Sequence, residues 1–176
     1  MTRAAVALPV PTPVPEFLAP RVEALRDALR SGRRQEALDM AKSLSSELAE
    51  SYGPLHNYTL HALELVAFCA QLAGQGAAAT ELAVQVAAGW QRLLPAKHRQ
   101  IRRQARNGAA SWLTVTDPPE AVRTGTALLA LLQSVYGAEH PSTPFVERRL
   151  TAITGPDPTA AARALQASGP ALLLQP

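Results

Sequence analysis

Apolar positions in "HALELVAFCAQLAG", residues 61–74, fall at Leu63, Val66, Ala67 and Ala70, and the pattern stops at Gly74. Steps of three and four return to one side of a helix, and glycine is a common stop signal. The next stretch, "ATELAVQVAAGWQRLL", places Leu82, Val86 and Trp90 four apart and stops at Pro95. Further on, "DPPE" gives an N-cap at Asp117, prolines in the first turn and Glu120 three residues after the cap, a capping-box pattern. "HPSTPF" supplies a similar start, with Thr143 ahead of Pro144. β-branched runs of strand type are nearly absent, so the pattern predicts an all-α chain.

The pattern also repeats. Tyr52, Gly53 and His56 in "ESYGPLHNYT" recur as Tyr136, Gly137 and His140 in "SVYGAEHPST", each 84 residues on, and half that step reaches His98. Leu94 and Pro95 replace the Tyr-Gly pair in the middle copy. The step of 42 also aligns Ala37, Ala79 and Ala121; Leu44, Val86 and Leu128; and the large residues Leu48, Trp90 and Leu132. Ala41, Ala83 and Gly125 form a row of very small residues, and Gly32 matches Gly74. A fixed period of this length is the mark of stacked repeats, each burying its apolar face on its neighbours. Two helices per unit follow: second helices near 34–52, 77–94 and 118–136, and first helices near 17–31, 59–73, 101–115 and 144–154. The Tyr-Gly-x-x-His phrase joins one unit to the next.

Small residues at fixed places, Ala67 and Ala109 on first helices and Ala79 and Ala121 on second ones, let paired helices approach closely. With a glycine at the turn, such pairs resemble the tetratricopeptide repeat. The 42-residue period is similar to the longer variety found in kinesin light chains and many actinobacterial proteins. The resemblance covers roughly residues 20 to 155 and implies a right-handed superhelical solenoid of antiparallel helix hairpins, three repeats plus a half. Residues 17–155 then form the repeat domain, after a Pro-rich disordered arm over 1–16 and before a closing helix and apolar tail over 156–176. Val14 and Leu25 depart from the period, which marks the first unit as a cap. In the arm, "PVPTPVP" reads as polyproline II.

Composition adds to this. The protein has 176 residues, is 47% hydrophobic and only 5% aromatic, with alanine and leucine dominant, which favours helices. Cys69 stands alone, which excludes an internal disulfide and fits a reducing compartment. No apolar run approaches the roughly 20 residues that span a bilayer, and prolines interrupt the N-terminal apolar stretch before a signal-peptide core forms. A cytoplasmic protein is expected. Its net charge of +3 rests almost wholly on arginine, since Lys42 and Lys97 are the only lysines. Arginine bias accompanies GC-rich genomes, so this charge is weak evidence for nucleic-acid binding.

Candidate chemistry is sparse. Three histidines one repeat apart would stand about a helix diameter, roughly 10 Å, from one another in stacked units, too far to share a metal. Cys69 lies among apolar neighbours with no base or cation near it in sequence, and no nucleophile elbow or phosphate loop is present. No catalytic residue, metal site or cofactor is assigned, and an enzyme is not expected. His61 is read as helix surface.

The resemblance implies a concave groove lined by first helices, where partner peptides bind. Equivalent positions there are Glu64, Arg106 and Arg148, and then Leu65, Asn107 and Arg149. With Arg102 and Arg103 one turn earlier these form a basic cluster, suited to an acidic peptide or to the terminal carboxylate of a polypeptide. Phe68 and Phe145 would shape the rest of the groove. Asn107 and Arg149 fall on plausible positions of the carboxylate clamp found in some tetratricopeptide domains, but Glu64 and Phe145 stand where cations are needed, so the clamp is incomplete. The Asn107 position also matches an asparagine typical of long-repeat first helices, which can hold a ligand backbone. The functional expectation is a non-catalytic adaptor that binds a protein segment. Two alternatives are an accessory regulator working with a transcription regulator or nucleic acid, and a self-associating scaffold.

Overall fold

Alanine- and leucine-rich stretches punctuated by glycine and proline fold as helices wherever the period places them. The computed structural model describes residues 14–166 and Pro9, and among these there is no strand. A 3-10 turn, Glu16–Leu18, leads into α1 (Ala19–Arg30), followed by α2 (Arg34–Tyr52), α3 (Asn57–Leu72) and α4 (Gly76–Leu93). Then come α5 (Arg99–Trp112), α6 (Pro118–Tyr136), α7 (Ser142–Thr154) and α8 (Pro158–Gln166). The helices α2, α4 and α6 begin at 34, 76 and 118, two steps of 42, and α3 and α5 begin at 57 and 99, the same step. The expected polyproline arm and the tail "GPALLLQP" lie outside the described residues, Pro9, Val14 and Pro15 apart.

The helices gather into two compact units divided after Gly74, a turn glycine with φ of +79°. In the first unit α1 packs on α2 and α2 lies along α3. Its interior holds Val22, Leu25, Leu38, Leu60 and Leu65. Leu25, expected to depart from a small-residue position, is fully enclosed.

In the second unit α4 lies along α5, α6 packs on both, and α7 and α8 follow in sequence. Its core contains Val86, Ile101, Trp112, Leu128, Leu132 and Val146. Glycines mark where these helices come close. A Cβ at Gly76 would meet Ser111 O at 3.0 Å, and one at Gly108 would meet Leu128 Cδ1 at 3.2 Å.

Helix ends follow local chemistry. Asp117 caps α6 by accepting from Glu120 N at 3.1 Å, with Pro118 in the first turn, as its sequence predicts. α5 stops at Trp112 rather than 115, because Thr114 N and Thr114 Oγ1 both donate to Ser111 O, at 3.0 and 2.7 Å. This tight turn sends Val115 into the interior. Thr143 does not cap α7 as expected. The helix begins at Ser142, two residues earlier than expected, and the Thr143 hydroxyl donates instead to Gly137 O at 2.8 Å.

Candidate functional site

The histidines of the connectors are the residues most open to a metal reading. His56 Nδ1 accepts from Tyr58 N at 3.2 Å, His98 Nδ1 from Gln100 N at 3.2 Å and His140 Nδ1 from Ser142 N at 3.3 Å. Each imidazole thus satisfies one of the amide groups that a helix start leaves without an intrahelical partner. In two copies the preceding tyrosine stacks on the ring, Tyr52 on His56 at 4.8 Å and Tyr136 on His140 at 4.3 Å. Thr59 and Thr143 close the same two connectors by donating to Gly53 O and Gly137 O, both at 2.8 Å. The sequence offered Thr143 only as a helix start and left Thr59 without a role, although the two lie 84 residues apart with Ile101 midway. No group of three or more His, Cys, Asp or Glu among the described residues could hold a metal ion.

Nucleophilic chemistry has no support at Cys69. The side chain is fully enclosed, and burial pushes its thiol up to about 12. A thiol in that state is not a nucleophile at neutral pH. On the first unit a depression of about 270 Å³ lies between α1 and α2 beside Phe17 and Tyr52, spanned by the Arg21–Glu47 ion pair. Its polar lining is the exposed ion pair, Ser51 and Tyr52. Phe17, Tyr52, His56 and Tyr58 pack there with ring centroids 4.8 to 6.4 Å apart, an aromatic cluster that the sequence pattern did not reveal.

The expected groove residues divide between the units. Glu64 and Phe68 belong to α3 in the first. Phe68 is half-buried, but Glu64 is only 3% exposed, with its carboxylate 3.3 Å from His61 Nδ1. It was expected to line a groove, and the structure instead encloses it. A carboxylate is kept in such a place only by partners that compensate its lost hydration, of which His61 is one.

In the second unit α5 carries Arg99, Arg102, Arg103, Arg106 and Asn107. Steps of three and four place the arginines along one side of the helix. Arg99, Arg102 and Asn107 are exposed, and Arg103 and Arg106 are half-buried. From Leu82 to Thr116 the sequence holds no acidic residue. Arg102 lies over the Tyr136 ring at 5.6 Å, while Tyr136 Oη donates to Arg102 O at 3.0 Å. Tyrosine, stacked histidine and arginine therefore tie α5, α6 and the last connector together.

On α7 Arg148 is exposed and Phe145 half-buried. Arg149 was expected beside them on the surface and is instead 4% exposed, its guanidinium 4.6 Å from the Trp112 ring centroid. Trp112 is itself fully enclosed and donates from Nε1 to Ala121 O at 2.8 Å. Of the expected basic cluster, Arg102 and Arg148 are thus exposed, with Arg99 exposed on α5 as well and Asn107 as the exposed amide. Such a surface can receive carboxylates, and it holds no general acid–base pair. No helix among the described residues is long and apolar enough to cross a membrane. Comparison with protein-family models, curated proteins and solved structures finds no match in any of the three.

Proposed function

We propose that this protein is a non-catalytic interaction module, a tetratricopeptide-like solenoid of three repeats plus a half, that binds an acidic segment of another protein. The observation that carries the reading is the α5 face, four arginines at helical spacing beside exposed Asn107, within a stretch from Leu82 to Thr116 that has no acidic residue. Guanidinium groups suit carboxylates in planar, two-point geometry, and a neighbouring amide suits the ligand backbone. Helix starts spaced by 42 residues support the repeat reading. The lone cysteine and the lack of a long apolar helix among the described residues are consistent with a reducing, non-membrane setting.

Fluorescence anisotropy with an end-blocked hexaglutamate peptide and with a single-stranded oligonucleotide tests the proposal. Peptide binding that is lost in the Arg102→Glu, Arg106→Glu double variant, with unchanged helicity by circular dichroism, supports it. Equal binding by the variant overturns it. Oligonucleotide binding in place of peptide binding, with affinity falling steeply as salt rises through counterion release, favours a nucleic-acid partner instead.

A further inference from the structure

Arg149 is a buried charge with too few partners. Its Nη2 lies 3.2 Å from Leu165 O, at the end of α8, and 3.5 Å from Leu113 O. Its Nε and Nη1 are buried and make no hydrogen bond. Among the described residues no carboxylate pairs with it. What compensates the charge is the π face of Trp112 and two carbonyl dipoles, and that leaves the Nε and Nη1 hydrogens without acceptors. Burial alone acts on its acidity, favouring the neutral form over the charged one.

The element that covers it is weakly held. No residue of α8 is buried, and its contacts with the rest of the unit come from the half-buried Ala160, Ala161, Ala164 and Leu165. Its packing partner is α7, reached through Gly155, Pro156 and Asp157. Segments with little buried apolar surface open at a small fraction of the free energy of global unfolding. Closure therefore gains little from packing and costs Arg149 its hydration.

We propose that α8 is a detachable cover, and that beneath it Arg149, held flat on Trp112, is a carboxylate-binding site. Opening removes Leu165 O and exposes the guanidinium edge. The indole fixes the guanidinium plane, so an incoming carboxylate meets a pre-set donor and orders few side chains. Exposed Arg148, the adjacent residue, adds positive potential at the middle of α7. The site uses none of the α5 arginines, so either reading can fail while the other holds. Its affinity should depend on the open fraction, since a ligand that needs a minor state binds more weakly by that fraction.

The test uses the full-length protein, titrated by calorimetry with end-blocked tetraglutamate, with acetyl-tetraalanine bearing a free C-terminal carboxylate, and with inorganic phosphate. The variant Ala160→Gly, Ala161→Gly, Ala164→Gly loosens α8 without touching Arg149. It should bind one of the two peptides about tenfold more tightly than the parent, and adding Arg149→Met should abolish the gain. Which peptide responds separates side-group from terminal carboxylates. Arg102 and Arg106 stay intact throughout, so loss of the α5 reading would not mimic this result. Hydrogen exchange supplies a second reading in case the loosened variant folds poorly. Arg149→Met alone should slow exchange in α8, because it removes the charge that closure strands. Faster α8 exchange in Arg149→Met, no gain on loosening, or a gain seen only with phosphate would each overturn the proposal.

Discussion

Gly125 on α6 lies directly against the indole of Trp112 on α5: a Cβ at position 125 would stand 2.6 Å from Trp112 Cζ2 and 2.7 Å from Nε1. The same indole donates to Ala121 O at 2.8 Å, one turn earlier on α6, so it cannot retreat without breaking that bond. Gly125→Ala should destabilise the protein by about 1–3 kcal/mol through overpacking, even after the gain of up to about 1 kcal/mol in helix propensity that alanine brings. Urea unfolding followed by tryptophan fluorescence measures this. A variant as stable as the parent would mean that the two helices can separate freely.

The connector glycines are constrained by backbone rather than by space. Gly53 has φ 90° and ψ 161°, and Gly137 has φ 86° and ψ 172°, while nothing lies within 4 Å of a Cβ at either place. That combination of angles is open to glycine almost alone and costs other residues of order 1–3 kcal/mol. Gly137→Ala should therefore lower the urea midpoint although it meets no steric neighbour. The middle connector avoids the strain, since Leu94 leaves α4 with φ of −128°. Leu94→Gly should accordingly bring no gain in stability, and a gain there would contradict this account of the connectors.

The helix starts and the inward faces were legible because a repeated pattern of apolar and small residues reports burial directly. Ala37, Ala79 and Ala121, the row read from the sequence, are all fully enclosed. Charged residues at the margin of an apolar stripe were less legible. Periodicity places Glu64 and Arg149 beside surface positions, yet whether such a residue is covered depends on an element elsewhere in the protein. For Arg149 that element includes α8, the helix that follows its own α7. The threonine bonds escaped for a different reason. A hydroxyl that closes a turn onto a carbonyl six residues earlier leaves no mark on hydropathy.

The middle connector makes its histidine more important than the other two. His56 and His140 are each backed by a threonine bond and a stacked tyrosine, whereas His98 is followed at the threonine position by Ile101 and preceded by Leu94 and Pro95. Its contact with Gln100 N is the only side-chain bond among the described residues to the first-turn amides of α5. His98→Ala should cost about 0.5–2 kcal/mol, in line with loss of an N-cap acceptor, and His98→Asn should restore most of it. His140→Ala should cost less than His98→Ala. Chemical denaturation of the three variants ranks them, and an equal loss at both histidines would remove the distinction between connectors.

Cys69 gives a prediction in pH. Burial on α3 holds its thiol at about 12 in the folded protein, against about 8.5 for an unfolded thiol. Between these values the unfolded state has lost the proton that the folded state keeps. The folded state then binds more protons, and stability must fall as pH rises through that window. Below it both states are protonated and Cys69 contributes no slope. Cys69→Ala should therefore flatten the alkaline fall of the urea midpoint relative to the parent, and the difference between the two curves isolates the thiol. Iodoacetamide gives an independent reading. At pH 8 labelling should be slow in the native protein and speed up with urea in step with unfolding, because the thiolate forms only when α3 opens. Native labelling at the rate of a free thiol would show that Cys69 is reached by solvent and that its burial does not control its chemistry.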